Sequence, residues 1–174
     1  MNLDRVCNIL HKNDGSLPDI NFDFGSERVA GVAYALIQGR AKRVSSPHAS
    51  YWSEEKGEDV PIRFGDNPAL ALLDGDTPGF HVVFGAMQSA SGAPIPDLGV
   101  FVQDAGKIAL DYRMGAEWNE AAISGLFEIM RDLTALATGV RMTHTGNIFD
   151  LDDDILLTEF VRWLELPGGQ AGLP

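Results

Sequence analysis

Two short runs of carboxylates are the residues whose type and spacing most directly suggest chemistry in this chain. The first lies in a predicted loop, Ser53–Asp59, where four carboxylates accompany a single lysine. Such a run is commonly a solvated surface, but a projecting acidic loop also steers and docks a basic protein surface. Adjacent aromatic side chains supply the anchor that binding hot spots favour. The loop therefore predicts a partner-binding patch made of Tyr51, Trp52, Glu54, Glu55, Glu58 and Asp59.

The second run, residues 150–154, places carboxylates at alternate positions, as the opening of a calcium loop does. A calcium loop needs glycine at its sixth position and glutamate at its twelfth, and here those positions hold Ile155 and Val161. The sequence thus predicts no metal site in this run, and we expect no cofactor elsewhere. The run is either the solvated start of a helix or a second acidic contact patch, made of Asp150, Asp152, Asp153 and Asp154.

A small enzyme or ligand-binding domain is the alternative interpretation. None of the four histidines is spaced to form a metal-binding pair, and His81 alternates with Phe80 and Val82 in an apolar strand, so its ring faces away from theirs. Asp111 and Arg113 lie two residues apart on one strand face, and we expect Arg113 to neutralise Asp111. Under this alternative, a pocket between the sheet and the C-terminal helices would use His81, Asp111 and Arg113.

Composition and motifs exclude several classes of protein. The chain of 174 residues carries 13 Lys+Arg against 25 Asp+Glu, a net charge of −12, whereas nucleic-acid affinity comes from Lys and Arg. Gly106-Lys107 lacks the flanking residues of a phosphate loop, and Ser124 falls inside a predicted helix rather than at a hydrolase elbow. No apolar run reaches the roughly 18 residues of a membrane span. The single Cys7 suits a reducing compartment, so we expect a cytoplasmic protein that binds neither nucleic acid nor membrane.

Hydrophobic periodicity predicts one α+β domain over residues 1–166 and a flexible tail over residues 167–174. Four helices are expected: Leu3–Leu10, a helix capped by Ser26 and ending at Gly39, Ala116–Ala137 and Asp152–Glu165. The second of these carries Val29, Val32, Ala33 and Leu36 on one stripe. The expected strands are Asp19–Phe24, Val44–Trp52, Val60–Phe64, Pro68–Leu73, Phe80–Met87, Leu98–Gln103 and Lys107–Arg113. The last two flank Asp104-Ala105-Gly106, which is typical of a type I turn with a G1 bulge, and should form a hairpin covered by the two C-terminal helices. Five to six of these strands are expected to form a mainly antiparallel sheet, with the helices segregated from it.

Three segments carry a resemblance to a known class of proteins: Leu17–Ile20, Ile95–Val100 and Leu110–Trp118. Over residues 17–165 the chain resembles bacterial immunity proteins that accompany secreted or contact-delivered toxins. The resemblance implies a small cytoplasmic protein that binds its cognate toxin stoichiometrically and occludes the toxin's active site. Members that inhibit nucleases are often acidic because their targets have basic substrate grooves. No catalytic or ligand-binding position carries over from the resemblance.

Overall fold

The computed structural model describes residues 2–12, 15–145 and 155–166. Its helices are α1 (Leu3–Leu10), α2 (Ala30–Gln38), α3 (Ala69–Leu73), α4 (Glu120–Thr134) and α5 (Ile155–Leu164). Its strands are β1 (Asp19–Asp23), β2 (Arg43–Val44), β3 (Ser50–Ser53), β4 (Glu58–Pro61), β5 (Phe80–Gly85), β6 (Met87–Gln88), β7 (Pro94–Ile95), β8 (Leu98–Asp104), β9 (Lys107–Tyr112) and β10 (Arg141–Thr145). The predicted lead-in helix Leu3–Leu10 is confirmed.

One antiparallel sheet of six strands, in the order β10-β1-β9-β8-β5-β2, organises the chain. Two short ribbons, β3-β4 and β6-β7, lie outside it. The helices come before, between and after the strands and pack on one side of the main sheet, where α2 contacts β8 and β9. The predicted α+β class with an antiparallel sheet is therefore confirmed.

The predicted hairpin between Leu98 and Arg113 forms, with β8 and β9 in antiparallel register. Its turn differs from the prediction, because Asp104 pairs directly with Lys107 and the register shift lies between Val102 and Asp104. Gly106 does not adopt a positive φ, so it is not the glycine of a G1 bulge. It is needed for close approach instead: a Cβ at this position would lie 2.7 Å from the carbonyl oxygen of Gly25.

The main sheet has one buried and one open face, because side chains alternate along each strand. Its buried face packs against the helices through the inward residues of β1, β9, β8 and β5, which include Ile20, Phe22, Ile108, Leu110, Val100, Val102, Val82 and Phe84. Helix α2 is the main helical cover of the hairpin, whereas α4 contacts β7, α1, α2 and α5. The prediction that the two C-terminal helices cover the hairpin therefore left out α2, the helix with the closest contacts to it.

The segment Pro68–Leu73 was predicted to be a strand, and this prediction is wrong. Pro68 caps helix α3 with φ −67° and ψ −12°, the backbone geometry that proline's ring favours at a helix start. The sequence that follows, Ala-Leu-Ala-Leu-Leu, contains only strong helix formers. The predicted strand Val44–Trp52 is also wrong, because Pro47 interrupts it and leaves β2 and β3 as separate short strands.

Helices α2 and α4 differ in extent from the predictions. The N-cap of α2 is Val29 rather than Ser26, and Val32 is 59% exposed rather than buried. Helix α4 is shorter than Ala116–Ala137 because Asn119 caps it, its side chain accepting from the Ala122 N–H at 3.0 Å. Helix α5 is described from Ile155, so the expected start at Asp152 lies outside the described residues.

Candidate partner-binding site

The acidic segment around residue 55 forms a β-hairpin rather than a long loop. Strands β3 and β4 pair with Tyr51 opposite Val60 and Trp52 opposite Asp59, which leaves only residues 54–57 in the turn. Consecutive strand residues point to opposite faces. Tyr51 therefore packs inward on Phe80, with ring centroids 6.4 Å apart, while Trp52 is 43% exposed on the outer face. The two predicted aromatic anchors therefore lie on opposite faces of the β3–β4 hairpin.

A groove of about 490 Å³ lies between this hairpin and helix α3. The hairpin supplies one wall through Tyr51, Glu55, Val60 and Pro61. The other wall comes from α3 and its flanking turns, through Asp66, Asn67, Pro68, Ala71, Asp74 and Asp76. We call this the acidic groove, because its charged lining residues are all carboxylates.

Asp76 fixes the two walls of the acidic groove to each other. Its carboxylate accepts hydrogen bonds from the Ser53 hydroxyl at 2.9 Å and from the Glu55 N–H at 2.7 Å. Its backbone carbonyl accepts from the Glu54 N–H at 2.8 Å. Ser53 is fully buried, and its Oγ also accepts from the Lys56 N–H at 3.1 Å, so the turn of the hairpin is held through this hydroxyl.

The acidic groove lies in a part of the described chain where acidic side chains far outnumber basic ones. Residues 51–76 hold seven acidic side chains and two basic ones, a net charge of −5. Within the described ranges, none of these seven carboxylates has a basic side chain within the 4.0 Å of an ion pair. The carboxylates therefore project an uncompensated negative potential, which low-dielectric groove walls concentrate.

The groove contains only part of the predicted contact set. Tyr51 and Glu55 line it, whereas Glu54, Glu58 and Asp59 are exposed on the hairpin beside it. Asp150, Asp152, Asp153 and Asp154 lie outside the described residues.

Sequence reasoning missed Asp66, Asp74 and Asp76, which make up three of the four carboxylates in the groove. The last two lie between Pro68–Leu73 and Phe80–Met87, both of which were expected to be strands. The pattern that could have revealed them is the helical Ala-Leu run before Asp74, because a helix there, unlike a strand, brings both of its flanking turns to one wall.

The alternative residues lie elsewhere, on the open face of the main sheet. His81 Nε2 and Asp111 Oδ2 are 2.6 Å apart, across the intervening strand β8. Gly99 makes this possible, since a Cβ there would overlap the Asp111 carboxylate. The hydrogen bond to Asp111 raises the pKa of His81 above its usual value. Arg113 was expected to neutralise Asp111, and this is wrong: His81 is the partner that the described structure provides.

A second carboxylate stands beside this pair. Asp19 is directly opposite Asp111 in the β1–β9 register. Burial, and then repulsion from Asp111, raise the pKa of Asp19. Three titratable groups therefore share one patch of the open face, but none of them lines the acidic groove.

Two further classes of site are absent from residues 2–12, 15–145 and 155–166. No three His, Cys, Asp or Glu side chains in these ranges come together as a set that could hold a metal ion. None of the helices in the same ranges has the length and hydrophobicity needed to cross a bilayer.

Comparisons with known proteins add one distant likeness. No family model matches the chain, and no curated protein matches it. A solved structure, the toxic C-terminal tip of CdiA from Pseudomonas aeruginosa in complex with immune protein, contains a chain that is 16% identical with a TM-score of 0.46. The alignment covers 74% of this chain and 86% of that chain. A likeness at this level assigns neither a partner nor an activity.

Proposed function

We propose that this protein is a non-enzymatic acidic binding protein, an immunity protein that binds a cognate toxin and occludes its active site. The observation that carries the proposal is the acidic groove: about 490 Å³ lined by four carboxylates and by no basic side chain. A basic protein surface, such as the substrate groove of a nuclease-type toxin, is the complement of this arrangement.

The hairpin suits this role because it combines charge with exposed aromatic surface. Trp52 lies on its outer face, with Glu54, Glu58 and Asp59 exposed around it. Tryptophan is enriched among residues that dominate binding energy. A standard interface buries about 800 Å² on each partner, which is enough to include the groove and one face of the hairpin.

Long-range attraction would act before contact. Clustered charge of one sign raises association rates by roughly 10- to 1,000-fold at low salt, and this gain falls as ionic strength rises. An inhibitor that must intercept a toxin before the toxin reaches its target benefits from such steering. The acidic surface would then block the basic active site without any turnover.

The test is capture of partners from the native organism, followed by kinetics with the captured protein. We expect one stoichiometric protein partner whose association slows with added salt. Reversing the charges of Glu54, Glu55, Glu58 and Asp59 should slow association while leaving the fold intact. A folded reversed variant that binds and protects as well as the parent would contradict this contact site.

The alternative, a small enzyme or ligand-binding domain, is favoured by one observation, the 2.6 Å contact of His81 with Asp111. The pair lies on an open sheet face rather than in the groove, and Arg113 does not complete it. A small molecule or metal that remains bound to the purified protein would favour this alternative over the immunity proposal.

A further inference from the structure

We propose that the protein partner docks on an exposed apolar surface of helices α2 and α3, and that this surface receives an apolar patch of the partner edged by lysine or arginine side chains. We call it the α2–α3 face, made of Val32, Ala35, Leu36 and Leu70. The inference rests on the proposed function and names the apolar part of its contact. None of these four residues lines the acidic groove.

Helix α2 lacks the polar side that a surface helix normally presents to water. Its sequence, Ala-Gly-Val-Ala-Tyr-Ala-Leu-Ile-Gln, contains no charged residue, and Tyr34 is fully buried. Surface helices usually place charged or polar side chains opposite their buried stripe. On α2 the outward positions hold Val32, which is 59% exposed, together with exposed Ala35 and partly buried Leu36. These three residues are spaced to share one side of the helix.

Helix α3 extends this apolar surface. A Cβ on Gly31 would lie only 3.0 Å from Leu70 Cδ2, so the Leu70 side chain lies directly over Gly31. Gly31 precedes Val32 and is one helical turn from Ala35, which places Leu70 beside the outward residues of α2. Leu70 is itself 53% exposed. Single exposed apolar residues are ordinary, whereas a contiguous apolar patch marks an interaction surface.

The α2–α3 face is held in place by polar bonds along the seam between its helices. Three side chains donate to backbone carbonyls across this seam: Asn67 to Gly31 at 2.9 Å, Gln38 to Asp66 at 2.8 Å, and Arg28 to Leu73. These bonds lie before, at and beyond the ends of the short helix α3, so its position on α2 is fixed. A surface that is already ordered loses less conformational entropy when a partner binds.

Charge around the face selects the kind of occupant. The segments 27–38 and 51–76, which contain both helices and the β3–β4 hairpin, hold eight acidic side chains and three basic ones. Asp66 and Asp74 flank α3, are exposed, and have no basic side chain within ion-pair distance among the described residues. A second copy of this chain would bring the same carboxylates against them, and like charges brought together disfavour association. A partner with basic side chains around an apolar patch complements both features.

The experiment is an NMR titration of the ¹⁵N-labelled full chain with three amphipathic peptides of equal length and helical pattern. The first has a leucine face and a lysine face, the second replaces lysine by glutamate, and the third replaces leucine by serine. We expect saturable shifts of the amides around Val32, Ala35 and Leu70 with the leucine–lysine peptide, and binding at least about fivefold weaker with the other two.

Each control peptide removes one half of the proposed chemistry. Equal affinity for the serine–lysine peptide would mean that charge alone binds, and equal affinity for the leucine–glutamate peptide would mean that charge does not select the occupant. Either result would overturn the proposal. Shifts centred away from α2 and α3 would overturn it as well.

Two double variants separate this face from exposed apolar surface in general. Val32→Thr/Leu70→Gln alters the α2–α3 face, whereas Val161→Thr/Leu17→Gln replaces the same two residue types elsewhere, at similar exposures of 52% and 54%. We expect the first variant to weaken binding of the leucine–lysine peptide by about tenfold or more, and the second by less than about twofold. Amide spectra unchanged away from the substitutions would show that both are folded. Equal losses in the two variants would overturn the assignment of the face.

Sedimentation of the parent chain tests the other occupant, a second copy. We expect a monomer at the concentrations of the titration. A dimer that Val32→Thr/Leu70→Gln dissociates would show that the face pairs with itself, and would overturn the proposal.

The outcome also distinguishes this inference from the proposed function. A captured toxin whose binding and neutralisation are unaffected by Val32→Thr/Leu70→Gln would overturn the docking face and leave the immunity proposal standing. A captured protein partner that is not a toxin, and whose binding the same variant abolishes, would support the docking face and contradict the proposed function.

Discussion

Replacing Asp76 by alanine tests whether this carboxylate holds the acidic groove together. The substitution removes the acceptor of the Ser53 hydroxyl, which is fully buried, and the acceptor of the Glu55 N–H. A buried donor left without a partner costs about 1–3 kcal/mol. The Glu55 N–H is exposed, so water replaces its bond at little cost. We therefore expect Asp76→Ala to lower the free energy of unfolding by about 1–3 kcal/mol.

Urea denaturation measures this loss, and thermal melting gives an independent value. In a chain of this size, each kcal/mol corresponds to a fall in Tm of roughly 2–4 °C. Asp74→Ala is the matched control, because it removes the same charge from an exposed side chain that accepts no hydrogen bond among the described residues. We expect the control to change the free energy of unfolding by less than about 0.5 kcal/mol.

The reasoning would be refuted if Asp76→Ala destabilised the protein no more than Asp74→Ala does. A double-mutant cycle with Ser53→Ala gives a second criterion. Since Ser53 and Asp76 are in direct contact, their effects should be non-additive by about 0.5 kcal/mol or more. Strict additivity would mean that the hydroxyl gains nothing from the carboxylate, and the groove walls would then need another explanation.

Three further predictions concern the open face of the main sheet and the turn between β8 and β9. The hydrogen bond to Asp111 raises the pKa of His81, so protonated His81 should stabilise the fold. In urea denaturation, the free energy of unfolding of the parent should exceed that of His81→Asn below about pH 6.5, and the difference should vanish as pH rises through the folded-state pKa. The pair is partly exposed, so the difference should be at most about 1 kcal/mol. Gly99→Ala should displace the Asp111 carboxylate and lower the pKa of His81 in an NMR titration, as Asp111→Asn should, and an unchanged titration would contradict this. Gly106→Ala should destabilise the fold by about 1–3 kcal/mol in urea melts, because its Cβ would lie 2.7 Å from a backbone oxygen of Gly25; a stability equal to that of the parent would rule out this close approach.

The part of the fold that could be predicted from sequence is the part built from local signals. The hairpin Leu98–Arg113 combines two runs rich in β-formers with a short glycine-containing turn, and both signals lie within a few residues of each other. Strand β10 was missed because its residues, Arg141–Thr145, are polar on one face and only half-buried on the other. It forms a strand by pairing with β1, which lies more than 115 residues earlier in the chain. The residues next to β10 in the sequence carry no pattern that predicts this pairing.

The candidate site was only partly predictable for the same physical reason. An acidic run with adjacent aromatic residues marks the hairpin, and the sequence shows that run directly. The opposite wall depends on Pro68 starting a helix, so that Asp66 and Asp74 flank it and face the hairpin. Because Pro68–Leu73 was predicted to be a strand, the wall formed by α3 and its flanking turns was not predicted.

Ion pairing is unevenly distributed among the described residues, and the segment 51–76 carries a net charge of −5 without any ion pair. Several basic side chains elsewhere are paired, among them Arg40 with Asp132, Arg141 with Asp23 and Lys107 with Asp104. Around the groove, the two basic residues of the segment 51–76, Lys56 and Arg63, form no ion pair among the described residues. Surface pairs of this kind add little stability, so their absence here costs the fold little while leaving the charge free to act at a distance. A negative net charge spread evenly has no preferred side, whereas this arrangement gives the described structure one surface on which negative potential is concentrated.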